Sequence, residues 1–235
     1  MGGARSARRR LRRTLGAGAL AVVVVLALVR VLVDDPGTSA TDGPSTSTTT
    51  VTTGSTTAAR AELARLVVAT PDPGLAEYRR AAFGDGWAYD PTSGCNTRER
   101  VLIAESQVPA TVGARCHPTA GRWRSAYDGV VATDPTALEI DHLVPLADVW
   151  RAGAAHWTPA RREAYANDLA DPNVLAAVTT HANRSKSDRT PDEWLPPDPA
   201  ARCAYAADWV EVKGRWNLTV TAPERGALEA ILNRC

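Results

Sequence analysis

The 235-residue sequence contains no G-x-S-x-G, no H-E-x-x-H, no G-x-x-x-x-G-K-[ST] and no dinucleotide-binding glycine fingerprint. These absences remove α/β-hydrolase, zincin, P-loop and Rossmann chemistry from consideration. None of the four cysteines forms a C-x-x-C pair, which argues against a zinc knuckle or a thioredoxin-like site. Strong net charge is also missing. Residues 1 to 57 carry seven Arg, no Lys and three Asp, so residues 58 to 235 hold 20 basic and 23 acidic side chains, a net charge of −3. Such a domain does not coat nucleic acid or anionic lipid through bulk charge, and any phosphate binding must come from a local cluster. Phenylalanine is nearly absent, with one residue, yet seven Trp, five Tyr and regular Leu/Val/Ile spacing past residue 60 supply enough apolar surface for a folded domain.

The N-terminus has the form of a targeting segment. Six arginines between Arg5 and Arg13 precede an apolar run from Leu15 to Val33 broken only by Arg30. The uninterrupted stretch Gly16 to Val29 suits a signal-peptide core, whereas Leu15 to Val33 approaches the roughly 20 residues that span a bilayer if Arg30 snorkels. On either reading the arginines stay in the cytoplasm and the rest is exported, secreted or held at the outer face by a single helix (residues 1–33). The anchor is preferred because no clear small-x-small site follows, Thr38-Ser39-Ala40 being the best candidate. Residues 34–57 are Ser, Thr, Gly, Pro and Asp with Val51 as the one sizeable apolar residue, a solvated, disordered linker. Residues 58–235 then read as one domain without internal repeats.

An exported domain with an even cysteine count favours disulfides. Cys203, Ala206, Ala207 and Val210 follow helical spacing, as do Leu228, Ile231, Leu232 and Cys235, so both cysteines fall on apolar faces of the last two helices. The expected pairs are Cys203 with Cys235 and Cys95 with Cys116, each contributing roughly 3 to 4 kcal/mol. The pattern predicts a helix over Ala58 to Ala69, and short β-rich runs at Val101 to Ile103, Val130 to Thr133 and Leu138 to Asp141 that would form a small antiparallel sheet. Helices follow: Thr158-Pro159 opens one through Tyr165, Thr179 or Thr180 caps one running to about Lys186, and another covers Pro199 to Val212 with Gly214 near its end. Leu175 to Val178 is a short strand, and Thr221-Ala-Pro-Glu224 is a capping box for the C-terminal helix. Strand-rich first and helix-rich later is an α+β fold.

The chemistry-bearing residues concentrate in Glu139-Ile140-Asp141-His142-Leu143-Val144-Pro145-Leu146 and, about 40 residues on, Asn183-Arg184-Ser185-Lys186-Ser187-Asp188. A carboxylate next to a histidine offers a hard oxygen ligand and a base titrating near neutrality. Neighbours on a strand point to opposite faces, so both serve one site only where the strand ends, and Pro145 fits an ending there. On a helix Asn183 and Lys186 share a face, where an amide oxygen can hold a cation and an ammonium can meet phosphate. His181 projects elsewhere, and His117 and His156 read as structural or exposed.

In these residues, and in Gly94-Cys95-Asn96-Thr97-Arg98, Tyr127-Asp128-Gly129, Trp150-Arg151-Ala152-Gly153-Ala154, Tyr165-Ala166-Asn167-Asp168, Glu193-Trp194-Leu195-Pro196-Pro197 and Cys203-Ala204-Tyr205, the chain from about Tyr78 to Cys235 resembles exported bacterial members of the HNH (His-Asn-His) endonucleases. These are related to the nuclease domain of certain modification-dependent restriction enzymes. The resemblance implies a ββα-metal site, two short strands, a loop and a helix around one divalent cation, Mg²⁺ or alternatively Mn²⁺. Carried over by position, His142 is the general base, while Asp141 and Asn183 are the metal ligands. The middle motif Asn is Asn173 or Asn167, in a bracing role. Arg98, Arg184 and Lys186 are candidate phosphate contacts, with a salt-bridge role the alternative for Arg98 and Lys186. The resulting expectation is a monomeric, exported endonuclease acting on DNA, with RNA as the alternative substrate, at low sequence specificity, touching the membrane through its N-terminal helix if uncleaved. No immunity or inhibitor protein is identifiable from the sequence. The rival is a catalytically silent cell-surface binding module on the same fold.

Overall fold

The computed structural model describes residues 53–235. The targeting segment and most of the linker expected at residues 1–52 lie outside the described residues, and no described helix is long and apolar enough to cross a membrane. The folded unit starts earlier than the composition suggested. Helix α1 covers Thr53–Leu63, so residues 53–57, expected in the linker, are helical. It also stops earlier than expected. Instead of continuing to Ala69, the chain extends at the β-branched pair Val67-Val68, where Val68 makes a parallel bridge to Val220 and the Val220 amide donates to the Val67 carbonyl.

Three short antiparallel pairs follow. Strands β1 (Tyr89–Asp90) and β2 (Cys95–Asn96) pair antiparallel, and Asn96 then caps helix α2 (Thr97–Glu105). The expected strand Val101 to Ile103 lies inside this helix. Asn96 accepts from the Glu99 amide while Glu99 reaches back to the Asn96 amide, and that reciprocal cap overrides the β preference of Val101 and Ile103. Strands β3 (Thr111–Val112) and β4 (Pro118–Ala120) form a second pair, and β5 (Trp123–Arg124) and β6 (Val131–Ala132) a third. The longest pair is β7 (Leu138–His142) with β8 (Leu175–Thr179), in register from Leu138 opposite Thr179 to His142 opposite Leu175. The strand content is thus four two-stranded sheets rather than one small sheet, within an α+β fold.

Between β7 and β8 the chain makes α3 (Leu146–Arg151) and α4 (Pro159–Ala166), the latter capped by Thr158 with Pro159 in the first turn. Thr179 caps α5 (Thr180–Lys186) directly after β8. Helix α6 runs Arg202–Trp216, past Gly214, and ends where Asn217 adopts a left-handed conformation (φ +54°). The Thr221/Glu224 capping box opens α7 (Ala222–Leu232) as expected. Helices α1, α6 and α7 pack together, and Arg60 of α1 donates to the Leu232 carbonyl. Both expected disulfides are present, with Cα separations of 5.1 Å for Cys95–Cys116 and 5.8 Å for Cys203–Cys235. Cys235 sits just beyond α7 rather than on its apolar face, its amide hydrogen-bonded to the Leu232 carbonyl.

Candidate active site

Strand β7 carries the candidate chemistry at its C-terminal end, and the register dictates how. Glu139 and Asp141 project toward α5, whereas His142 packs toward the end of α4. The strand stops at His142, so Asp141 and His142, from opposite faces, both border a cleft of about 430 Å³ whose wall also includes Asn183, Arg184 and Arg80. His142 is 5% exposed. Its ring stacks between Trp87 (centroids 5.5 Å apart, 15° between planes) and Tyr165 (6.0 Å, 20°). Nε2 lies 2.9 Å from the Ala166 carbonyl, which can only accept, so the network assigns the proton to Nε2 and leaves the Nδ1 lone pair open. Burial, with the charges of Arg80 and Lys186 nearby, holds the imidazole down at about 4, and the ring is therefore neutral at physiological pH.

Asp141 is buried beneath the cleft. One oxygen accepts from Tyr127 Oη and from Lys186 Nζ, each at 2.7 Å, and Lys186 also donates to the His142 carbonyl at 3.0 Å. Burial pushes this carboxyl up, while the ammonium and the phenol pull it down. Lys186, a candidate phosphate contact by sequence, is fully buried and committed to the backbone and carboxylate of the very dipeptide it was expected to assist. Arg98 is likewise structural, donating to the Pro135 and Leu138 carbonyls at the start of β7. Arg184 is exposed and pairs with Glu139 at 3.4 Å. Glu139 also accepts from Asn183 Nδ2 at 2.6 Å, which fixes the amide so that its oxygen is the free acceptor. Asp141 and Asn183 Oδ1 are oxygen donors on the cleft able to hold a hard cation.

The two candidates for the middle Asn occupy different places. Asn167 Oδ1 accepts from the Ala88 amide and from Thr97 Oγ1, and its Nδ2 approaches the Gly86 and Glu163 carbonyls, so it braces the segment that carries Trp87. Asn173 reaches Glu211 at the surface. The loop after His142 is held instead by backbone, the Leu143 amide donating to the Val174 carbonyl. Arg80 and Trp87 are site residues that sequence reasoning missed, and Glu139 and Tyr127, though within the motif segments, were given no role there. Glu139 carried a signal, lying two residues before Asp141 on one strand face; Arg80 and Trp87 carried none, being 62 and 55 positions from His142. His117, His156 and His181 are exposed.

Residues 110–231 match the family model described as GmrSD restriction endonucleases, C-terminal domain. The chain belongs to this family. An uncharacterized secreted protein of Arthroderma benhamiae is 42% identical over 141 residues, covering 60% of this chain and 68% of the relative. That relative is fungal, where the sequence reading expected bacterial kin. No solved structure matches. The GmrSD match takes in β7, β8 and α5, and so Asp141, His142 and Asn183, but it leaves out Arg80, Trp87 and Arg98.

Proposed function

We propose that this chain is an exported, metal-dependent HNH endonuclease that hydrolyses phosphodiester bonds in DNA, RNA being the alternative substrate, with low sequence specificity. The observation that carries the reading is the convergence of His142, Asp141 and Asn183 on one cleft at the end of β7, within a β7–β8–α5 unit in a restriction-endonuclease family. The secreted fungal relative supports export.

His142 is the general base. Its Nε2–H is spent on Ala166, and Nδ1 takes the proton of the attacking water. Trp87 and Tyr165 on the two ring faces fix the plane of the imidazole. Asp141 and Asn183 would hold the cation. Both offer hard oxygen, and among the described residues no three His, Cys, Asp or Glu side chains gather into a metal cage, so this donor set suits Mg²⁺ or Mn²⁺ keeping several water positions rather than four-coordinate zinc. When bound, the cation supplies Lewis-acid polarisation of the scissile phosphate and stabilises the leaving 3′-oxygen. Lys186 orients Asp141 from below and neutralises it when no cation is present.

The test is a cation titration with the purified full-length protein in detergent on plasmid DNA. Cleavage is expected with Mg²⁺ or Mn²⁺ and is abolished by EDTA, and Asn183→Ala is expected to raise the Mg²⁺ concentration needed for half-maximal rate at least tenfold. Cleavage that persists in EDTA, or an Asn183→Ala enzyme with unchanged Mg²⁺ demand, contradicts the assignment.

A further inference from the structure

Two cavities meet at His142. Beside the cleft that holds Asp141 and Asn183 lies a second recess of about 300 Å³, walled by Phe83, Trp87, Leu146 and Ala166. Arg80, His142 and Leu146 line both cavities. Building on the endonuclease reading, we propose that the second recess is a nucleobase subsite. It takes an unpaired base of the strand whose phosphate occupies the first cleft, with Arg80 gripping the backbone between them, so that the substrate class is single-stranded or locally unpaired nucleic acid.

Four observations carry this. First, the recess is lined by Phe83, Trp87, Leu146 and Ala166 together with the charged Arg80 and Asp85, and its aromatic and apolar wall has the character of a stacking platform, with Arg80 shared with the neighbouring cleft. Trp87 is half-buried, its ring stacked on His142 with part of its surface left open to the recess. Gly84 and Gly86 turn the chain at φ +99° and +113°, conformations open to glycine, and the Asn167 side chain pins Gly86 and Ala88 on either side of the tryptophan.

Second, Arg80 is the cation at this junction with no competing partner. Arg184 pairs with Glu139, Arg151 with Asp188 and Lys186 with Asp141, while the Arg80 side chain makes no ion pair or hydrogen bond among the described residues. An uncommitted guanidinium that lines both cavities suits a bidentate contact to a phosphate lying between them.

Third, geometry separates strand classes. Bases in a duplex are paired and stacked inside, so a recess beside the backbone track can be filled only by a base that is unpaired or swung out. Fourth, residues 58 to 235 carry a net charge of −3, which gives weak long-range attraction to a duplex and leaves stacking plus a few local contacts to supply affinity.

The experiment reads binding without cleavage. Full-length protein in detergent and EDTA is titrated into a fluorescein-labelled oligodeoxynucleotide, single-stranded or annealed to its complement, and anisotropy is followed. The single strand is expected to bind at least about tenfold more tightly than the duplex. Trp87→Ala is expected to weaken single-strand binding about tenfold while leaving the duplex unchanged, and Trp87→Phe to retain most of the affinity. Arg80→Ala is expected to weaken single-strand binding and flatten its salt dependence. Equal binding of the two forms, absence of binding, or a Trp87→Ala loss shared by both forms or restored by no aromatic overturns the subsite. Cleavage assayed separately with Mg²⁺ or Mn²⁺ distinguishes the two ideas. Strand preference in binding without any cleavage keeps the subsite and removes the nuclease; cleavage of both forms at equal rates without strand preference removes the subsite and keeps the nuclease.

Discussion

Only two of the 27 basic residues are lysines, and both are fully buried. Lys186 holds Asp141 and the His142 carbonyl; Lys213 holds Asp148 at 2.8 Å, Glu224 at 2.5 Å and the Thr219 carbonyl at 3.0 Å. A compact ammonium with rotatable donors fits such enclosed sites, where a planar guanidinium would need more room. Burying an ion pair costs desolvation that its partner offsets, so removing one member leaves a bare charge. Lys186→Met is therefore expected to destabilise the fold by about 3 to 5 kcal/mol in thermal unfolding, and Asp141→Asn in the same chain to recover part of that loss. If Lys186→Met unfolds at the parental temperature, the buried pair carries no weight. Asp141-His142 and Asn183 lie about 40 residues apart in the sequence and stand out there through the resemblance to the HNH family rather than through spacing alone; the fold places all three along one cleft. The direction of Lys186 was not legible, although Ala182 four residues earlier marks the buried face of α5 that Lys186 shares.

At the scale of elements, caps were the most readable features. The Thr158, Thr179 and Thr221 caps sit where the sequence placed them, because each satisfies orphan amides with a local side chain and needs no tertiary partner. The Asn96/Glu99 box obeys the same logic, and there it opens a helix over Val101 and Ile103, whose β-branched side chains by themselves favour a strand. Helix α2 matters to the site because Glu105, its last residue, accepts the Ala177 amide of β8 at 2.9 Å and so satisfies a strand donor with no neighbouring strand. Burial raises the Glu105 carboxyl to about 7, opposed by that hydrogen bond. A carboxyl whose folded value is raised binds protons more tightly in the fold than in the unfolded chain. Its contribution is intact below the unfolded value near 4.5 and is lost as pH rises toward 7. Glu105→Gln is expected to remove that slope, gaining on the order of 2 kcal/mol over the parent at pH 7 relative to pH 4.5 in denaturant unfolding. Parallel pH profiles for the two proteins would contradict the burial argument.

Over the whole molecule, the GmrSD-matched segment is flanked by structure it depends on. Each disulfide joins a cysteine inside residues 110–231 to one outside: Cys95 to Cys116, and Cys235 to Cys203. Helix α1 adds a third flank against α6 and α7. The Cys203–Cys235 bridge closes a 32-residue separation, and its removal in a Cys203→Ser, Cys235→Ser double variant is expected to cost about 3 to 4 kcal/mol while leaving cleavage by the folded fraction unchanged, since the site lies at β7 and α5. The α+β class was legible in the order of patterns, and the disulfide pairing in the nearness of the last two helices, with Cys95 and Cys116 left as the other pair, although Cys235 itself lies just past α7. The division into four strand pairs, and the arrival of Arg80 and Trp87 at His142, were not, because long-range packing sets both. The most direct test of the account is cleavage by His142→Ala. Full-length variant and parent are compared on single-stranded and plasmid DNA in Mg²⁺ and Mn²⁺, with circular dichroism and thermal unfolding confirming equal folding. A fall in rate of roughly 10² to 10⁴ with the fold intact is the result expected of a lost general base. A His142→Ala protein that cuts as fast as the parent contradicts it, and a parent that binds the strand without cutting it is the silent binding module instead.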